Sequence, residues 1–233
     1  YHMYAFQCSA PVRIRTPMGG KRGYGPTHSQ SLEKYFIGMD NVAMLAISSL
    51  IDPTPLIREL RNIDCPAIIL ENKVDYGKKL FKENEFLSID QIGGPFGPVL
   101  VKPKEMNADL TFITYGGTAR EISDGFIDIF EETGFISQVL CLTALNPLNI
   151  NSIFRLLKRT KSIITVEDGS TSFGIGAEVL VNILSKEKNT NFKRIGAEPY
   201  PIPSIRNLED QCLPTLSHII DEVILFKKEI EKK

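Results

Sequence analysis

Short apolar runs bounded by turn residues alternate along this chain with longer stretches whose apolar positions repeat three and four apart. Val12-Arg13-Ile14 has the pattern of a short strand, and a glycine-rich stretch from Thr16 to Thr27 follows it, ending at His28-Ser29-Gln30. The run Val42 to Ile47 predicts a second strand. Asp52-Pro53 then supplies an N-cap and a proline at the first helical position, so a helix is expected to about Arg61, with Ala67 to Leu70 as a buried strand after it. Between Lys78 and Asp109 the pattern dissolves into charged residues and Gly-Gly-Pro-Phe-Gly-Pro, which reads as an interdomain linker.

Order returns at Leu110 to Thr114 (strand), Ala119 to about Glu132 (helix) and Ser137 to Cys141 (strand). Asn149 or Asn151 can cap a helix through Lys158; Ser162 to Val166 is a strand and Gly174 to Leu184 a helix. A last helix, about Leu216 to Lys228, sets Leu216, Ile219, Ile220, Val223 and Ile224 on one face. Strand and helix alternating at this spacing imply parallel β-α-β units, an α/β class of two doubly wound domains. There is no internal repeat.

The 233 residues are 42% hydrophobic, enough for two cores at roughly 150 residues per domain. Balanced charge, 27 Lys+Arg against 28 Asp+Glu, gives no basic stripe for nucleic acid. No apolar run approaches the ~18 residues of a membrane span. Cys8, Cys65, Cys141 and Cys212 form no C-x-x-C pair, and His2, His28 and His218 are not clustered, so no metal site is expected and a reducing compartment fits. The chain opens at Tyr1 with no initiator methionine or signal-peptide pattern, and is expected to be a piece of a longer protein.

Candidate chemistry concentrates in the glycine-rich stretch. Gly19, Gly20, Gly23 and Gly25 allow sharp turns or close approach to a ligand, but Gly20-Lys21 is followed by Arg22, not by the Ser or Thr of a phosphate loop. A long exposed turn explains the composition as well. Imidazole titrates near pH ~6.5, which suits His28 to proton transfer, although a lone histidine is more often structural. Lys21 and Arg22 could grip an anion or simply be solvated, and the charged tail from Lys227 to Lys233 reads as a solvated helix end. Gly174-Ile-Gly176-Ala-Glu178 is not a dinucleotide fingerprint, because Val179 stands where a third glycine or alanine belongs; its glycines favour close packing of helix on strand, with amides that could attract an anion.

The strings Arg15-Thr-Pro-Met-Gly-Gly and Gly25-Pro-Thr-His28-Ser-Gln30-Ser-Leu-Glu33 resemble the beta subunit of thiamine-diphosphate-dependent 2-oxo acid dehydrogenases, within the transketolase superfamily. So do Pro66-Ala-Ile-Ile-Leu-Glu71-Asn72, Tyr76-Gly77, Asp109 to Gly116, Leu145 to Asn149, Val166-Glu167-Asp168, Gly174 to Glu178, Pro201-Ile-Pro203, Leu208-Glu209-Asp210 and Leu213-Pro214. The resemblance implies a partial pyrimidine-binding domain over 1–77, a linker over 78–108 and a transketolase C-terminal domain over 109–233. It implies oxidative decarboxylation of a 2-oxo acid with acyl transfer to a lipoyl group, with His28 as the catalytic proton donor and Gly25, Ser29 and Gln30 forming the substrate and cofactor loop.

Thiamine diphosphate and magnesium would be held mainly by residues outside this chain, since the family's activating glutamate, its ring-packing aromatics and its Gly-Asp-Gly signature do not occur here. The family's monovalent cation is not expected, because Arg61 to Cys65 lacks the usual acidic position. Implied partners are an alpha-type subunit or fused domain, a second beta copy and a lipoyl acyltransferase, with neither nucleic acid nor membrane. The implied compartment is the cytoplasm, or a mitochondrial or plastid matrix in a eukaryote. Two alternatives compete: a non-catalytic assembly module, and another thiamine-dependent enzyme of the transketolase type.

Overall fold

The fold comes from a computed structural model that describes residues 5, 7–157 and 160–232. His2, Lys158 and Lys233, named above, lie outside the described residues. The strands in chain order are β1 (Arg13–Met18), β2 (Ala43–Ile47), β3 (Ala67–Asn72), β4 (Leu87–Gln91), β5 (Val99–Pro103), β6 (Leu110–Thr114), β7 (Ser137–Cys141), β8 (Ala144–Asn146), β9 (Ser162–Ser170) and β10 (Asn191–Ala197). The helices are α1 (Gly25–His28), α2 (Thr54–Glu59), α3 (Gly116–Asp124), α4 (Phe126–Thr133), α5 (Ile150–Leu157), α6 (Ile175–Leu184), α7 (Arg206–Cys212) and α8 (Leu216–Glu231).

Two sheets result, ordered β1-β3-β2-β8 and β10-β9-β6-β7-β5-β4. β1, β3 and β2 run parallel, as do β10, β9, β6 and β7. The segment expected to be an irregular linker forms the antiparallel hairpin β4–β5, and β5 extends the second sheet by pairing with β7. Its apolar alternation, Leu87 and Ile89 facing Pro103 and Val101, is easily missed because Lys102 and Asp90 interrupt it on the solvent side. Gly93 and Gly94, at φ +81° and +97°, turn the chain between the two strands.

Other elements depart from the sequence pattern. β1 continues to Met18 because its parallel register with β3 persists as far as Asn72. The helix expected from Asp52 starts at Thr54, whose amide Asp52 Oδ1 accepts at 2.9 Å, and ends in a 3-10 turn, Leu60–Asn62. The single helix expected from Ala119 is two, broken at Gly125, where an added Cβ would stand 2.5 Å from Leu216 Cδ2. β8, β10 and α7 carry no clear periodic signal in so few residues. On α8 the buried face is Ile219, Val223 and Phe226, and Lys227 is not simply solvated, since its Nζ donates to Thr133 O at 2.8 Å.

One apolar core joins both sheets. Met18, Met44, Ile68 and Leu70 of the first cluster with Leu100, Ile113, Leu140 and Ile163 of the second, and with Ile153 of α5 and Val179, Leu180 and Ile183 of α6. The far face of the second sheet is covered by α3, α4 and α8, and that of the first by α2. The carboxyl ends of β1, β3 and β9 are thereby brought to a common buried seam, where ligand sites of parallel sheets usually lie.

Candidate active site

The loop after β1 lies along this seam, and both parts of the chain hold it. Glycine is required at two of its turns: Gly19 has φ +83° and lies against Asn72, and Gly25 has φ +70° and leaves no room for a Cβ beside Ser204 Oγ. His28 ends the one-turn helix α1 and is solvent-exposed. Its carbonyl accepts from Lys73 Nζ, and the Lys73 carbonyl in turn accepts from Arg22 Nη1 at 2.9 Å. Burial, and then the neighbouring Arg22 charge, hold the Lys73 ammonium below its usual range.

The remaining loop residues divide by direction. Ser29 is turned inward, 1% exposed, and its hydroxyl donates to Glu209 Oε1 at 2.6 Å. Gln30 is exposed and its amide donates back to the Pro26 carbonyl. Gly25 is buried. Of the four residues proposed from sequence, only His28 and Gln30 therefore present side chains to solvent. Lys21 is not solvated: its ammonium grips the chain's own Glu121 and donates to Pro214 O at 3.2 Å.

Beneath the loop lie buried polar groups. Asp168 accepts from Asn72 Nδ2 at 2.9 Å and from Thr118 Oγ1 at 2.7 Å. Glu33, 1% exposed, accepts from the Tyr115 hydroxyl at 2.8 Å while its other oxygen has no hydrogen-bond partner. Burial raises the carboxyls of Glu33, Glu167 and Asp168 above the ordinary range; the Tyr115 hydrogen bond, the Arg194 guanidinium and the Lys21 charge respectively oppose this.

The α6 N-terminus explains the glycine pair noted in the sequence. Gly174 and Gly176 leave room for the Glu167 carboxylate, which accepts from Arg194 Nη2 at 3.1 Å, so the acidic group against this helix end is the chain's own. Glu33, Asn72, Glu167, Asp168 and Glu209 all lie within strings that carried the family resemblance. The strings marked the segments without revealing which side chains are buried or what they hold.

Residues 99–219, which carry every strand of the second sheet except β4, together with α3 to α7, match the family model described as transketolase, C-terminal domain. The chain belongs to this transketolase family. The match begins at Val99, inside the stretch that looked like a linker. Beyond that domain, the transketolase-family chain is related over nearly its whole length to beta subunits of the pyruvate dehydrogenase E1 component. It is 25% identical to the mitochondrial subunit of Saccharomyces cerevisiae, over 90% of this chain and 57% of that one. It is 26% identical to that of Caenorhabditis elegans, over 96% and 63%, and 28% identical to that of Gracilaria tenuistipitata var. liui, over 91% and 64%. The chain thus spans 57% to 64% of the length of these curated relatives. A solved structure titled a split gene transketolase, inactive beta4 tetramer, has the same fold at TM-score 0.65 and 16% identity, covering 95% of this chain and 67% of that one.

Proposed function

We propose that this chain is part of the beta-type half of a 2-oxo acid dehydrogenase and lends His28 to a site completed by an alpha-type subunit or fused domain. Residues 1–77 would be the C-terminal part of a pyrimidine-binding domain and 109–233 the C-terminal domain. The observation that supports this most is the exposure of the His28 imidazole on a loop whose neighbours are locked: the fold fixes the backbone and leaves the proton-bearing group free to meet a ligand from outside.

The residues present fit only this edge of a thiamine site. Among the described residues no three His, Cys, Asp or Glu side chains are grouped to hold a metal, and the α6 N-terminus is taken by Glu167. The diphosphate and magnesium are assigned to residues outside this chain because the family's Gly-Asp-Gly signature does not occur in it. When bound, thiamine diphosphate supplies the carbanion-stabilising centre for decarboxylation. His28 would hold a proton and deliver it as the acyl group passes to the lipoyl group of an acyltransferase partner, in an assembly containing a second beta copy. No helix among the described residues is long and apolar enough to cross a membrane; the compartment proposed is the cytoplasm, or an organelle matrix, as the mitochondrial relatives suggest.

His28→Ala tests the reading in the assembled enzyme. Turnover is expected to fall roughly 10²- to 10⁴-fold, the usual contribution of a positioned acid or base, with melting temperature and cofactor affinity little changed. Near-normal lipoyl acylation would remove His28 from the mechanism. An assembly module is the second reading, favoured by the exposed Tyr35, Phe173 and Tyr200 (70%, 94% and 50%) near one cleft of the seam. Normal acylation in His28→Ala with assembly lost in Phe173→Ala would favour it.

A further inference from the structure

We propose that Glu209 is a positioning residue for the His28 loop, an inference that rests on His28 being the catalytic group. Glu209 is 0% exposed on α7, and its two oxygens are divided between two loop donors: the Gly23 amide at 2.7 Å to Oε2 and the Ser29 hydroxyl at 2.6 Å to Oε1. These donors bracket His28 in sequence, so one carboxylate closes the loop into a ring from the inside. Both bonds have a charged acceptor, the stronger kind of hydrogen bond. Side-chain contact reinforces them, because Gly20 sits against Leu213 and within 3.1 Å of Glu209 Oε1 from its would-be Cβ.

The place of α7 separates this role from general stability. Its buried Cys212, and Leu213 just after it, pack with Ala197 and Ile202 in a small cluster apart from the three larger cores. Removing the carboxylate leaves those cores untouched and frees two loop donors. The Gly23 and Ser29 partners are 186 and 180 residues away in sequence, so the C-terminal part of the chain acts as a template for a loop built by the N-terminal part. The link is also electrostatic, since Glu209 attracts Lys73, which holds the His28 carbonyl.

The test compares Glu209→Ala, Glu209→Gln and Ser29→Ala in the full chain, by hydrogen exchange of segment 19–30 and by the carbon-bound proton resonances of the His28 ring. Exchange at Gly23 is expected to rise roughly 10- to 100-fold in Glu209→Ala, the size set by one or two lost buried hydrogen bonds, with the sheets unchanged. The His28 resonance should broaden or split. Glu209→Gln, which keeps one acceptor oxygen, should restore part of the protection, and Ser29→Ala should give a smaller effect of the same kind.

In the assembled enzyme Glu209→Ala should lower kcat by roughly 10- to 100-fold, with KM for the 2-oxo acid nearly constant, as misplacement of a reacting group does. Unchanged exchange at 19–30, or exchange that rises equally in both sheets, overturns the proposal. If Glu209→Ala does not fold, Ser29→Ala alone decides it by the same measurements. Loosening of the loop combined with normal acylation in His28→Ala would overturn the His28 reading while leaving Glu209 as the residue that holds the loop.

Discussion

Asn72 and Asp168, 96 residues apart, meet in a 2.9 Å hydrogen bond that ties the end of β3 in the first sheet to β9 in the second. The amide's orientation is set from its other side, where Asn72 Oδ1 accepts from Val74 N at 3.0 Å. Thr118 satisfies the second Asp168 oxygen, and Gly19 and Gly117 close on Asn72 so tightly that a Cβ on either would stand 2.7 or 2.6 Å from it. Asn72→Ala should therefore do more than delete a contact. It leaves a buried carboxyl oxygen unpaired, at a cost of about 1–3 kcal/mol. Urea unfolding should show the midpoint falling with an unchanged slope; a neutral result would mean the seam carries no such constraint.

The Glu33 carboxyl predicts a particular pH dependence. Its folded pKa stands above its unfolded one, chiefly through burial. The folded state then binds the proton more tightly, so the contribution of this group to stability is greatest at low pH. It is lost as pH rises from the unfolded value of ~4 through the folded one, above which the loss is complete. Glu167 and Asp168 act in the same direction. Glu33→Gln keeps an acceptor for the Tyr115 hydroxyl and cannot ionise, so its stability should fall less steeply over this range than that of the parent chain. Parallel curves from thermal melts at matched pH would refute the assignment.

Gly174 should not tolerate alanine, although its backbone conformation is ordinary (φ −79°, ψ 163°). The obstacle is space, since an added Cβ falls on Glu167 Oε2. A cost of about 1–3 kcal/mol is expected, as for other overpacked sites. Gly77, with nothing within 4 Å of its would-be Cβ, serves as the control and should change stability by no more than about 0.5 kcal/mol. Equal effects at the two positions would contradict the crowding argument.

β1 stands at the edge of the first sheet, with Ile14 50% and the adjoining Val12 55% exposed. Unpaired strand backbone beside apolar side chains favours pairing with another chain. The isolated chain should accordingly associate as its concentration rises, and Val12→Lys with Ile14→Lys should suppress this. Light scattering across concentration checks both, and a monomer at every concentration would show the edge to be inert.

Alternating apolar runs, a helix start near Asp52-Pro53 and the Leu216 to Lys228 stripe were legible in the sequence because each is a relation among residues two to four apart, where backbone geometry alone sets the period. The His28 loop was legible for a similar reason, as a dense cluster of glycines around one imidazole and a contiguous family string. Tertiary structure alone decided that Ser29 faces inward, that the β4–β5 hairpin joins the second sheet and that β8 returns to the first. It also singled out Glu33, Glu71, Glu167, Asp168 and Glu209 from 28 acidic residues as the buried ones. Burial depends on which distant segments close over a side chain, and donors and acceptors find their partners only after that closure. Partners such as Tyr115 for Glu33, 82 residues away, leave no mark on the local pattern of either segment.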